Sequence, residues 1–302
     1  MKVLIASSSL IAQPITEWLL NSEHKVVGVL TAPDAAQGRG REIAENTFAQ
    51  LANSLQIPVF KAVSAEEIRK VIQETGSEIV VTAAYGRLIR KGELSEPKYG
   101  WLNIHFSLLP RWRGASPVQR SIEHGDSSTG VTVFKLDEGL DTGPIYSTLT
   151  YEMRGDERSE ELLKDLSVLS VEPLREALAL IEAGKKPYPQ SKQGVTFAPK
   201  ISKEDGRINW KKSNIDIERS VRAFSQWPRA WSLIGGSRIS ILSSRCSSDE
   251  LAPGALMQRE RVIVGCGIGS LELIEVKPEG KKAMPARDWL RGARLSENAT
   301  FE

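Results

Sequence analysis

The chain has 302 residues, 40% hydrophobic and 26% charged, a balance that suits an ordinary globular protein and excludes a disordered or fibrous one. At this length two domains are expected. The formal charge of +2 hides an asymmetry: residues 1–190 carry 21 Lys and Arg against 25 Asp and Glu, whereas residues 191–302 carry 19 against 13. That pattern suits one catalytic and one polyanion-facing domain, though small charge differences between domains are also common.

The first twenty residues start apolar but turn polar at once, so neither a signal peptide nor a membrane helix is expected there. Short β-branched runs at 2–6, 25–31, 57–60 and 78–86 read as buried strands. Amphipathic stretches at 11–21, 43–55 and 64–74 read as helices between them. This alternation implies right-handed βαβ crossovers and a Rossmann-like parallel sheet. A strand over 99–105 follows, then strands over 130–136 and 145–151 joined across an acidic turn, then one long helix from Ser159 to Ile181. The stretch 184–205, rich in Lys, Gly, Pro and Ser without apolar period, reads as a linker. Beyond it, a helix near 214–226 and short strands at 230–234, 237–242, 255–257, 261–264 and 270–276 suggest a small β-barrel such as an OB fold. The expected organisation is therefore an α/β catalytic domain over 1–183, a linker over 184–205 and an OB-like domain over 206–302. Cys246 and Cys266 are too few and too far apart for a disulfide framework or a CxxC metal site, which fits a reducing cytoplasm.

The densest segment, 102–126, ends a strand in Asn103-Ile104-His105 and breaks into a Pro/Gly-rich loop. Residues two apart on a strand point to the same side, so an amide donor sits beside an imidazole. The carboxyl edge of a parallel sheet is where open α/β folds bind ligands. A lone histidine is more commonly a satisfied core residue, and the acidic residues of LDEGLDTGP at 136–144 could simply cap a turn. If the two segments meet, however, Asp141 would orient the ring of His105 and raise its pKa. His24 and His124 stand at polar turns and read as surface residues. No HExxH, clustered Cys/His or EF-hand spacing is present, so no metal is expected in the mechanism.

Asn103-Ile-His105, Ser107-Leu-Leu-Pro110, Arg113-Gly114, Gly130-Val-Thr132 and Asp137-x-Gly-x-Asp141-Thr-Gly143 together resemble the folate-dependent formyltransferases. The Asn, His and Asp of that family's catalytic constellation fall on Asn103, His105 and Asp141. Outside this core, the stretches 31–43, 202–210 and 222–232 are similar to those members of the family that act on methionyl initiator tRNA. Two departures stand out: Ser7-Ser-Ser9 replaces a Gly-Thr-Pro turn, and Phe106 takes a place often held by a small residue.

The resemblance implies transfer of formyl from 10-formyltetrahydrofolate to the α-amine of methionyl initiator tRNA. Asn103 would then donate to the developing oxyanion. His105 would polarise that oxygen or move the proton between nitrogens, with Asp141 holding it. The folate site is implied at Ala84, Tyr85, Gly86, Arg87, Leu88, Ser107, Leu108, Leu109, Pro110, Asp137, Gly139 and Leu140. The tRNA would be held by Arg39 and Arg41 of a flexible loop and by Lys192, Lys200 and Lys203, largely through phosphates. A monomer without a membrane partner is expected. The alternative is a formyltransferase for a small amine, such as a ribonucleotide glycinamide or a nucleotide amino sugar, which would need neither the Arg loop nor a basic barrel.

Overall fold

The computed structural model describes residues 1–37, 42–258, 260–296 and 299–302. They form two compact units, one of Met1–Pro117, Ser128–Glu152 and Leu163–Pro199, the other of Val118–Ser127, Met153–Leu162 and Lys200–Glu302.

From its N-terminus the chain runs through β1 (Lys2–Ala6), α1 (Gln13–Leu20), β2 (Lys25–Thr31), the short pair β3 (Ala35–Gln37) and β4 (Glu42–Ala44), α2 (Thr47–Ser54) and β5 (Val59–Lys61). It continues through α3 (Ala65–Thr75), β6 (Ile79–Thr82), α4 (Lys91–Leu94), β7 (Trp101–His105), β8 (Arg113–Gly114) and α5 (Pro117–His124). Strands β9 (Ser128–Lys135) and β10 (Ile145–Glu152), helices α6 (Ser159–Leu169) and α7 (Val171–Glu182) and the short β11 (Phe197–Ala198) follow. The sheet order is β10-β9-β7-β6-β1-β2-β5, parallel from β7 to β5 and antiparallel at β9 and β10. The expected Rossmann-like sheet is thus present. Val3 to Ala6 and Ile79 to Val81 are fully buried, as central strands covered on both faces require. Helices α2 and α3 begin on side-chain caps: Asn46 accepts from the Ala49 N–H, and Ser64 with Glu67 forms a capping box at α3.

The single helix expected over 159–181 is instead two, α6 and α7, parted at Ser170. Pro173 has no N–H to give the carbonyl of Leu169, so the ladder breaks there, while α7 tolerates a proline in its first turn. Residues 188–198 are hydrogen-bonded to the first unit: Ile145 and Tyr188 exchange backbone bonds of 2.7 and 2.9 Å, and β11 pairs in parallel with β8.

The second unit holds α8 (Asn214–Ala223) and an antiparallel sheet of β12 (Ala230–Ile234), β13 (Ser237–Ser247), β14 (Leu256–Gln258), β15 (Val262–Gly265) and β16 (Ser270–Pro278). Strand β17 (Met284–Pro285) pairs with β16, and α9 (Ala286–Ala293) follows. The order is β12-β13-β16-β15-β14, and irregular register near Ile241 to Ser244 bends the long β13. The curled sheet wraps a core that includes Trp210, Ile217, Ile241, Val264, Leu271 and Phe301. Among the described residues its outer strands share no ladder; Thr300 bridges to Ala255 and Phe301 to Ile234, so the last residues lie against both edges. The architecture is that of a half-barrel.

Candidate active site

Strand β7 is the centre of the site. Its Asn103 pairs in register with Thr82 of β6, so the loops that follow the two strands leave the sheet at one edge. The 136–144 loop starts at the other end, where the Leu136 N–H donates to the carbonyl of Trp101. It must run back along the sheet, because an Asp141 carboxylate oxygen lies 3.7 Å from His105 Nδ1 at the far end of β7. A glycine allows that path: a Cβ at Gly143 would overlap the Lys135 carbonyl. Asp137 holds the start of the turn through the Gly139 N–H at 3.0 Å and the Thr142 hydroxyl at 2.7 Å.

Asp141 is a non-glycine residue at φ 50°, a conformation that needs support from its surroundings. Its carboxylate accepts the Gly114 N–H at 2.7 Å. The Gln190 side-chain amide donates to the carbonyls of Asp141 and Gly143, both at 2.8 Å. Gln190 is in turn oriented by Arg113, whose Nε and Nη2 donate to its Oε1 at 3.1 and 2.7 Å. No sequence signal marks Gln190, since PYPQSKQG has no periodicity and no motif; Arg113 stands inside the motif but without a role of its own.

The ring of His105 is buried, edge-on to Phe134 with centroids 6.4 Å apart, and its Nε2 lies 2.8 Å from the Trp112 carbonyl. A carbonyl can only accept, so Nε2 carries the proton and Nδ1 is bare in the neutral ring. Burial lowers the His105 pKa below its ordinary value, and the Asp141 carboxylate and the Trp112 carbonyl oppose this only in part. The expected upward shift is therefore reversed, because the cost of desolvating a cation exceeds the attraction of one carboxylate at 3.7 Å.

Asn103, His105 and Asp141 line one cavity of about 520 Å³ together with Ala84, Tyr85, Gly86, Arg87, Leu88, Asp137, Gly139 and Leu140. Its size is that of a small-molecule site. Leu88 and Leu140 are large apolar side chains left 71% and 56% exposed, which suits a planar, partly apolar ligand. Gly86, at φ 77°, would carry a Cβ with no protein atom within 4 Å, so its backbone stands bare to an incoming group. Tyr85 has its hydroxyl pushed up to about 12 by burial and stays a neutral donor. The Arg87 side chain instead donates to the Val63 carbonyl and pairs at 3.3 Å with the fully buried Glu93. Ser107, Leu108, Leu109 and Pro110 do not border the cavity. They hold the loop from behind: the Ser107 hydroxyl donates to the Arg111 carbonyl at 2.6 Å, and Thr132 accepts from the Leu109 N–H while donating to the Ser107 carbonyl. Ile89, Ala115 and Pro117 line the cavity unannounced by any sequence signal, and Phe106 joins them, buried, as part of the wall. Ser8 of the unusual first turn donates its N–H to the Ala84 carbonyl at 3.4 Å, which sets that turn directly behind the cavity.

Lys192, Lys200 and Lys203 are exposed, whereas Arg39 and Arg41 lie outside the described residues. His24 is not a surface residue: it is buried with Nδ1 3.3 Å from the terminal amine and 3.6 Å from Glu182, because its turn folds back against the first strand and α7. Among the described residues, no helix is long and apolar enough to cross a membrane.

The sequence model of formyl transferase matches residues 1–178, and that of the formyl transferase C-terminal domain matches residues 200–294. A methionyl-tRNA formyltransferase from Acidothermus cellulolyticus is 39% identical with all of both chains covered, and one from an Arthrobacter species is 40% identical with the same coverage. The structure of HypX from Aquifex aeolicus in complex with tetrahydrofolic acid is similar with a TM-score of 0.68 at 20% identity; the match covers 96% of the present chain and about half, 47%, of HypX.

Proposed function

The chain belongs to the formyl transferase family, and from that premise we propose that it transfers the formyl group of 10-formyltetrahydrofolate to the α-amine of methionyl initiator tRNA. The observation that carries this reading is a full-length likeness to methionyl-tRNA formyltransferases, in a chain whose Asn103, His105 and Asp141 converge on one ligand-sized cavity. The small-amine alternative is not favoured, since the likeness extends through the C-terminal domain.

The folate supplies a formyl carbon bound to nitrogen, with an oxygen that gains negative charge as the amine attacks. Ala84 to Leu88 and Asp137 to Leu140 hold the folate head by backbone groups and apolar contact. The Asn103 amide has no protein partner among the described residues and donates to that oxygen, a contact worth about 3–4 kcal/mol in comparable sites. His105 is neutral because it is buried, and its bare Nδ1 takes the proton of the attacking amine. Once cationic, the ring is stabilised by Asp141, and Nδ1 then yields the proton to the leaving nitrogen. No metal enters this scheme.

Ser107, Leu108, Leu109 and Pro110 support the site by shaping the loop behind it. The tRNA is held by Arg39, Arg41, Lys192, Lys200 and Lys203 through phosphates. The functional division is a catalytic domain over 1–183, a connecting segment over 184–205 and a tRNA-binding domain over 206–302, whose curled sheet serves as an OB-like barrel in a monomeric, cytoplasmic enzyme. The test is incubation with 10-formyltetrahydrofolate and methionyl initiator tRNA, scored for formylmethionine. Formylation of a small amine with no turnover on the aminoacylated tRNA would sink the proposal.

A further inference from the structure

In the second unit, alternation along two paired strands builds a basic face. On β13 the side chains of Ile239 and Ile241 are buried in the core, so Arg238 and Ser240 point the other way. Ser240 stands opposite Lys277 of β16 on one side and opposite Trp231 of β12 on the other. Arg229, held at φ 69° by the bond from its N–H to the Phe224 carbonyl, completes the group. Arg229, Arg238, Ser240 and Lys277 line a separate concavity of about 300 Å³.

The three cations are half-buried, and none has an ion-pair partner among the described residues. Glu279 is at the rim, exposed, and pairs with none of them. The Arg238 guanidinium lies 4.2 Å from the centre of the Trp231 ring, which is itself fixed by a bond from its indole N–H to the Lys203 carbonyl. Arg207 approaches the same ring at 5.7 Å, and Lys281 and Lys282 follow just beyond the turn. Like charges gathered in a concave, partly desolvated place repel one another unless an anion offsets them. The guanidinium fork and the ammonium around a hydroxyl are the donor set for a tetrahedral oxyanion.

We propose that this concavity is a phosphate site and that its occupant is a backbone phosphodiester of the RNA substrate; the assignment to RNA rests on the function proposed above. It localises to Arg229, Arg238 and Lys277 an attraction that the charge count only spreads over the C-terminal third.

The test measures KM for methionyl initiator tRNA and Kd for the deacylated tRNA against salt, on wild type, Arg238→Gln, Lys277→Gln and the surface control Lys70→Gln. Each pocket variant should raise KM and Kd about three- to tenfold, leave kcat within twofold and make the slope of log Kd against log salt shallower by about one. Slopes and affinities equal to those of Lys70→Gln overturn the site. If Arg238→Gln lowers the melting temperature through the loss of its ring contact, Lys277→Gln decides the matter alone, for its ammonium covers no ring. Inorganic phosphate replacing chloride at equal ionic strength should weaken tRNA binding more in wild type than in the variants. Variants that lose stabilisation by inorganic phosphate yet bind tRNA as wild type does would assign the pocket to a free phosphate and refute the RNA occupant. Absence of formylation by wild type, with the salt slopes as expected, would count against the reaction and not against the pocket.

Discussion

Replacing Gln190 by Ala removes two donors to the Asp141 and Gly143 carbonyls and one acceptor shared by two nitrogens of Arg113. Neutral hydrogen bonds contribute about 0.5–1.5 kcal/mol each and those to a charged group about 1.5–3 kcal/mol. Gln190 is only half-buried and water can replace part of this, so a net stability loss of about 2–3 kcal/mol is expected. The larger effect should be on rate. Asp141 sits at φ 50°, a conformation that costs about 1–3 kcal/mol and persists while the clamp holds it. Released, its carboxylate no longer faces Nδ1, and kcat should fall about ten- to hundredfold, or about 1.4–2.7 kcal/mol of barrier, with KM for folate within threefold. The pH profile separates this from a merely structural loss: without the facing carboxylate, the His105 pKa should fall further below its ordinary value. Gln190→Glu keeps the acceptor for Arg113 but sets a carboxylate oxygen against the Asp141 and Gly143 carbonyls, so it should restore neither the loop nor kcat. Steady-state kinetics between pH 5 and 9, with melting curves on the same variants, is the assay. Wild-type kcat and an unmoved pH profile in Gln190→Ala would refute the clamp.

His105→Ala, Asn103→Ala and Asp141→Asn should each lower kcat by orders of magnitude with folate binding nearly intact, and double variants should lose much less than the product of the single losses; additive losses in single-turnover rates would argue against one constellation. For wild type, the limb of the pH profile that belongs to His105 should lie below the ordinary histidine value, beneath the limb set by protonation of the attacking amine. The same ring makes a stability statement: its neutral form contributes fully above about pH 6.5, and the contribution is lost as the pH falls toward the lower folded value, so the melting temperature of His105→Gln should depend less on pH in that window. Gly143→Ala should cost about 1–3 kcal/mol in denaturant melts and most of the activity, because its Cβ overlaps the Lys135 carbonyl; unchanged stability would contradict the loop path. A chain ended at Pro199 should fold poorly, because Val118–Ser127 and Met153–Leu162 belong to the second unit, where Arg120 pairs with Asp205 at 2.6 Å and Arg222 donates to the Glu157 carbonyl at 3.0 Å; a cooperative, wild-type melt of that truncation would show the partition to be wrong.

The central strands, the crossover helices and the positions of Asn103 and His105 were legible in the sequence, because burial on both faces demands continuous β-branched runs and because a strand sends alternate residues to one side. The motif around 103–143 likewise marked which polar residues stand at strand ends. The break at Ser170 is written in the sequence too, in the missing N–H of Pro173, against a helical period that runs through it. Other features were decided only in three dimensions. The 136–144 loop had to run back over the length of β7 before Asp141 could face His105, and no local pattern encodes a return path set by contacts across the sheet. The direction of the His105 shift depended on how deeply the ring is buried, since desolvation and a carboxylate pull oppositely and only packing sets their ratio. Gln190 and Lys277 carry no signal in their own neighbourhoods: one acquires its place when residues 188–198 are bonded against the first unit, the other when β13 and β16 set it opposite Ser240. Secondary structure follows from periodicities a few residues long, whereas these sites join side chains brought together from distant parts of the chain, and only the packed fold supplies that proximity.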